Sequence, residues 1–137
     1  MFKVCRRTTF NAAHRLLNQN WSDEKNADTF GKCNYPNWHG HNYTLYTWVE
    51  GPLNEETGYV IDLGKLKKII KEEVEDPFDH RNLNLDVPEF ENLNPTAENI
   101  AKVIFDKLKA RLSEYKLRIR LHETENNFVE YTRDYDN

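Results

Sequence analysis

The chain has 137 residues and a formal net charge of −4, with 38% hydrophobic and 31% charged residues. That length is one domain's worth, no window approaches the ~18 apolar residues of a membrane span, and an acidic balance without a long basic run sets duplex nucleic acid aside as the main partner. Leu, Ile, Val and Phe account for 33 residues, above the ~20% floor below which disorder is the default, yet lean enough that the core is modest and assembly with further copies would help.

Residues 2–14 read as a first strand, because Phe2, Val4, Thr8, Phe10, Ala12 and His14 fall in period 2. Arg6 and Arg7, with no apolar stretch behind them, predict no signal peptide. Cys5 alternates with charged and polar residues in this strand and reads as packing filler. Two cysteines, Cys5 and Cys33, cannot build a disulfide framework, and a cytosolic chain keeps them reduced. From Leu17 to Trp38 the chain is polar and punctuated by Asn, Asp and Gly, which predicts a long functional or mobile loop. Residues 39–50, rich in Tyr, Thr, Trp and Val, resume strand character, and Gly51-Pro52 and Glu56-Thr57-Gly58 mark turns.

Asp62 is placed to cap a helix in which Leu66, Ile69, Ile70 and Val74 recur at helical spacing, ending before Pro77. A second helix opens at Asn94-Pro95-Thr96-Ala97-Glu98 and buries Ile100, Val103, Ile104 and Leu108. Residues 116–123 alternate, with Leu117, Ile119, Leu121 and Glu123 on one face and Arg118, Arg120 and His122 on the other. A turn at 125–127 returns the chain through a strand at 128–132. The order is ββααββ and the class α+β: a single domain over 1–137 with one antiparallel four-stranded sheet and two helices on one face.

Period 2 puts the imidazoles of His39 and His41 on one strand face, about 6.5–7 Å apart at their Cα atoms. His14 ends the neighbouring strand, and three histidines with an open fourth position are the pattern of a catalytic zinc site. Cys33 precedes His39 by six residues and suits either a fourth ligand or a base held off the metal. Adjacent Asp79-His80 suits a proton relay in which the carboxylate fixes the imidazole tautomer, or a turn with an incidental surface histidine. Glu123 continues an apolar row, so its carboxylate needs a partner: the N–H edge of a heterocycle gripped by two hydrogen bonds, or a neighbouring Arg or Lys. Thr96 and Glu98 fit a helix start. Arg15, Lys32 and Arg81 flank these motifs.

Phe10-Asn11-Ala12-Ala13-His14-Arg15-Leu16, Cys33-Asn34-Tyr35-Pro36-Asn37-Trp38-His39-Gly40-His41-Asn42-Tyr43, Asp79-His80-Arg81-Asn82-Leu83 and Glu123-Thr124 together resemble the 6-pyruvoyl-tetrahydropterin synthase family, in order, from about residue 3 to residue 131. The resemblance implies a tunnelling fold (T-fold) whose subunits form trimeric barrels that stack as cytoplasmic homohexamers. It implies zinc held by His14, His39 and His41, and a catalytic triad of Cys33 as base with Asp79 and His80 as relay, completed across a subunit boundary. It further implies a pterin ring anchored by Glu123 with contacts from Thr96 and Glu98, and 7,8-dihydroneopterin triphosphate as substrate. Five residues between Cys33 and His39, with the Asn-x-Pro-Asn segment, match the pyruvoyl-forming members. The members that make 6-carboxy-tetrahydropterin for queuosine (7-deazaguanine) biosynthesis usually have a shorter spacing, and they form the alternative. A non-catalytic zinc-stabilised binding module would instead use Cys33 as a fourth ligand and unfold without metal. A zinc hydrolase lacks a carboxylate near the His pair to activate water.

Overall fold

The computed structural model describes residues 1–135; the last two residues of the expected 1–137 domain lie outside the described residues. Five strands form one sheet in the order β3-β1-β2-β4-β5. Strand β1 (Phe2–His14) and β2 (His39–Gly51) are long and antiparallel, with Phe2 opposite Gly51 and His14 opposite His39. Strand β4 (Lys116–His122) pairs with β2, and β5 (Phe128–Tyr131) with β4, both antiparallel. Alternation decides which side is covered: Phe10, Ala12, Tyr43, Leu45, Val49, Leu117, Ile119 and Leu121 point inward and are buried.

Helices cover that inner face. Helix α2 (Leu63–Ile70) starts at the expected cap, with the Asp62 carboxylate accepting from the Gly64 N–H, and buries Leu66, Ile69 and Ile70. The Ala97–Lys109 helix starts at the expected Thr96 cap and buries Ile100, Ala101, Ile104, Phe105 and Leu108. Both cap expectations therefore hold.

Four expectations need correction. The sheet has five strands rather than four and is mixed: β3 (Arg81–Asn82) runs parallel to β1 against Ala12 and Ala13. The first helical run does not stop before Pro77. After α2 it widens into a π-helical turn (Lys71–Glu75) and continues as α3 (Asp76–Phe78). The looser turn accommodates a ring that lacks an N–H, and Phe78 is thereby delivered to the core at 0% exposure.

The stretch from 17 to 38 is not loop throughout. Ser22 caps α1 (Asp23–Phe30), and a 3₁₀ turn (Gly31–Asn34) follows. The segment lacks an apolar stripe, so periodicity could not reveal it, although the Ser22-Asp23-Glu24 start was a readable capping signal. A short α4 (Leu83–Asp86) follows β3, which makes the Ala97–Lys109 helix α5. Finally, Cys5 is exposed rather than packed, because it belongs to the outward parity of β1.

Candidate functional site

The inner register brings three imidazoles together. His14 ends β1 directly opposite His39, and His41 lies opposite Ala12 two residues along the same face. Their ring centroids are 4.5 Å (His14–His39), 5.1 Å (His14–His41) and 4.9 Å (His39–His41) apart. One ring nitrogen from each lies within 4.8 Å of the others, so these three residues could hold a metal ion.

The donor chemistry fits. His14 Nδ1 lies 2.8 Å from the Pro95 carbonyl oxygen. A carbonyl only accepts, so Nδ1 carries the proton and Nε2 keeps its lone pair, the outer bond that orients a ligating histidine. His14 Nε2, His39 Nδ1 and His41 Nε2 are buried without a hydrogen-bond partner, which is costly unless something else satisfies them. Burial pushes the His14 pKa down to about 4 and lowers that of His39. Both rings are therefore neutral, as metal ligation requires. Tyr43 closes the floor: fully buried, its hydroxyl 3.4 Å from His14 Nδ1 and its ring 5.6 Å from that of His41.

Beside the cluster lies a cavity of about 310 Å³ lined by Leu16, Thr96, Ala97, Glu98, Glu123, Asn127, Phe128 and Val129. The three residues expected to touch a heterocycle therefore share one cavity. Glu123 joins it to the histidines, with Oε1 3.7 Å from His41 Nε2. Its only ion-pair neighbour among the described residues is this histidine, not an Arg or Lys. Its backbone is set by the tight β4–β5 turn, where the Glu123 N–H donates to the Asn127 carbonyl.

The remaining candidates hang from β1 by different tethers. Cys33, partly exposed, sits in the 3₁₀ turn, and its carbonyl accepts from the Leu16 N–H at 2.8 Å. Buried Asn34 completes the tie, donating from Nδ2 to the Leu16 carbonyl while its own carbonyl accepts from Arg15 Nε. Asp79 and His80 occupy the free edge of β1. The Asn11 N–H donates to Asp79 Oδ1, and the Asn11 carbonyl accepts from the His80 N–H at 2.6 Å. This double clamp holds His80 at a left-handed φ of 60°, a conformation that a residue with a Cβ adopts only when its surroundings over-determine it. His80 Nδ1 lies 2.9 Å from Asp79 Oδ2, and the Asn11 N–H, with His80 beside it, holds the Asp79 pKa below its usual value. Among the described residues, no hydrogen bond or ion pair joins Cys33 to Asp79 or His80.

Arg15 is partly tied to Asn34 and faces a cavity of about 560 Å³ with Asp23 and Tyr35. Arg81 lines another with Asp86, Glu89 and Lys107, and Lys32 is exposed. Sequence reasoning missed Asn11, Asn34, Tyr43 and the Pro95 carbonyl. The two asparagines stand inside the motifs, but their tasks are tertiary and no spacing announces them.

The profile of a family described as 6-pyruvoyl tetrahydropterin synthase matches residues 3–134. A human protein named 6-pyruvoyl tetrahydrobiopterin synthase is 45% identical over 130 residues, covering 94% of this chain and 90% of its own. A Rickettsia typhi protein named 6-carboxy-5,6,7,8-tetrahydropterin synthase is 34% identical over an alignment that covers 95% of this chain and 99% of its own. The solved structure of the Caenorhabditis elegans 6-pyruvoyl tetrahydropterin synthase superimposes with a TM-score of 0.90 at 40% identity, covering 96% of this chain and 94% of that one.

Proposed function

The chain belongs to the 6-pyruvoyl tetrahydropterin synthase family, and from that premise we propose that it is a zinc-dependent lyase that converts 7,8-dihydroneopterin triphosphate to 6-pyruvoyl-tetrahydropterin and triphosphate. One observation carries the reading: Glu123 stands 3.7 Å from His41 on one side and lines the cavity of Thr96 and Glu98 on the other. A carboxylate there can grip the N–H edge of a pterin with two hydrogen bonds, which directs the pterin's side chain toward the histidines.

Zinc held by His14, His39 and His41 would supply Lewis acidity toward the side-chain hydroxyls. Cys33, as thiolate, takes a proton from a hydroxyl-bearing side-chain carbon. The pair left on the carbon next to the ring reduces the ring's C=N bond as its hydroxyl becomes a carbonyl, and the pair left by a second proton loss, at the neighbouring hydroxyl-bearing carbon, breaks the C–O bond to triphosphate. Asp79 and His80 move protons between the hydroxyls and the ring, with Asp79 fixing the His80 tautomer. Hydrogen lost from the side chain reappears on the reduced pterin ring, so no external oxidant is needed.

We further infer that Cys33 meets an Asp79–His80 pair from a second copy, in trimeric barrels stacked as a hexamer. Open sheet edges support this: β3 covers β1 only at Ala12 and Ala13, and β5 ends the other side. Exposed edges invite strand pairing, and a closed barrel removes them. A cytoplasmic setting, with both thiols free, goes with this reading.

Incubating the zinc-loaded protein with dihydroneopterin triphosphate and identifying products by mass is the test. The expected products are triphosphate and a pyruvoyl pterin. Release of acetaldehyde with a 6-carboxypterin would replace this reading with the carboxy-forming one.

A further inference from the structure

Glu72, Glu73, Glu75 and Asp76 crowd the π-helical turn and its exit, and three of the four find a cation. Arg111 Nη1 lies 2.6 Å from Glu72 and 3.4 Å from Glu73, and Lys71 Nζ lies 2.8 Å from Asp76. No cation lies within ion-pair distance of Glu75 among the described residues. Glu75 is instead partly buried, and its Oε1 accepts a hydrogen bond from the hydroxyl of Thr8, which is 6% exposed on the inner row of β1. Withdrawing a carboxylate from water costs free energy, and a charge-assisted bond from the facing strand offsets it.

The π turn brings Glu75 to that strand. Leu66, Ile70, Val74 and Phe78 stand four residues apart and are each at most 1% exposed. In an uninterrupted α-helix every such step drifts about 40° around the axis, so the last would lie about 120° from the first. The wider turn at Lys71–Glu75 takes up the drift and keeps Val74 and Phe78 over the sheet. Glu75, next to Val74, is thereby turned onto β1. From there the main chain leads directly to Asp79 and His80. The Glu75 carbonyl accepts from the Asp79 N–H at 2.8 Å, the last helical bond before Asp79 turns to φ −65°, ψ 130° and His80 to φ 60°. Both residues are then received by Asn11, three residues on from Thr8 and about 10 Å along the strand. Strand β1 grips the departing chain twice, through a side chain before the exit and through its backbone after it.

We propose that Glu75 is a positioning residue for the Asp79–His80 pair: the Thr8 hydroxyl fixes its carboxylate on β1, and its carbonyl thereby fixes the Asp79 N–H. This role rests on the reading of Asp79 and His80 as a proton relay. Asn11 holds the two residues at the strand edge, and the Thr8–Glu75 bond anchors the helix end that delivers them. Exposed relay side chains gain most from a fixed backbone, since a 1 Å displacement can cost on the order of 10²-fold in rate. Glu75 itself transfers no proton.

The test uses the zinc-loaded protein with Thr8→Val, which keeps the shape and removes the donor, Thr8→Ser, which restores it, and Glu75→Gln, which still accepts. In Thr8→Val, kcat should fall about tenfold with KM and zinc per chain unchanged, and Thr8→Ser should recover most of the loss. Glu75→Gln should lose less than Thr8→Val. Glu75→Ala, which removes the acceptor from the more exposed side, should match Thr8→Val and serves where that core variant does not fold. Amide hydrogen exchange gives a readout independent of turnover. The His80 N–H, bonded to the Asn11 carbonyl, should exchange about tenfold faster in Thr8→Val, and its acceleration should exceed that of amides inside α5. Equal acceleration throughout would reduce the contact to packing and overturn the proposal. A larger loss in Glu75→Gln than in Thr8→Val would also overturn it, giving the charge of the carboxylate a direct part. Unaltered His80 exchange would remove the role of Glu75 and leave the relay standing, whereas full turnover in His80→Ala would remove the relay itself.

Discussion

The histidine cluster and the Asp79–His80 turn sit at the same end of β1, yet one is built into the chain and the other displayed by it. His14 is 1% exposed, its Nδ1 proton is held by a carbonyl, and its two partners arrive by sheet register. The side chain of His80 is 82% exposed and that of Asp79 41%, and they are held by Asn11, by their mutual contact and by the Glu75 carbonyl, which accepts from the Asp79 N–H. A ligand set must be in place before any substrate arrives, so one chain supplies it whole. An acid–base pair left this open is useful only where something further covers it, because water screens and competes with an exposed relay.

Cys33→Ala should separate the two regions most strongly. Turnover is expected to fall ~10²–10⁴-fold, the worth of a positioned general base, while zinc per chain, measured by elemental analysis, stays at the parental value. Loss of metal would make Cys33 a ligand and erase the distinction. The next largest effect is a gain. Cys33→Ala and His80→Ala, each inactive alone, should recover activity when co-refolded in equal amounts. If every site draws Cys33 and His80 from different copies, random assembly leaves about a quarter of sites intact. No recovery would put both groups in one chain.

A pH series probes the buried side of the contrast. His14 titrates near 4 in the folded chain against 6.5 for a free imidazole, so between those values the unfolded chain binds more protons. Stability of the metal-free protein should therefore hold above pH 6.5 and fall as pH drops toward 4, by on the order of 3 kcal/mol. Urea midpoints of chelator-treated protein measure this, and His14→Gln should remove that part of the slope.

The same division governed what the sequence disclosed. Period 2 in β1 and β2 was enough to put His14, His39 and His41 on one covered face, and the Asp62 and Thr96 caps were readable because capping is local. Strand β3 was invisible because two residues carry no period, and its pairing with Ala12 and Ala13 is purely tertiary. The π-helical turn was hidden by Pro77, whose usual meaning is a helix end. Cys5 was misjudged for want of attention to parity: it shares the outward row with Lys3 and Arg7 and is exposed.

The smallest expected effect joins the two kinds of information at Thr96. Its hydroxyl accepts from the Asn99 N–H at 3.2 Å, and its own N–H donates to the Asn94 carbonyl at 2.8 Å. These bonds flank Pro95, whose carbonyl holds the His14 proton. Thr96→Val keeps the shape and removes the acceptor, so stability should drop by about 1 kcal/mol, a typical cap loss, read from the urea midpoint with an unchanged slope. Because the cap also steadies the Pro95 carbonyl, zinc affinity in chelator competition should fall with it, and Thr96→Ser should restore both. A cap loss that left zinc affinity untouched would mean that Pro95 is held by the strand side alone, and that the buried region is even more self-contained than its hydrogen bonds indicate.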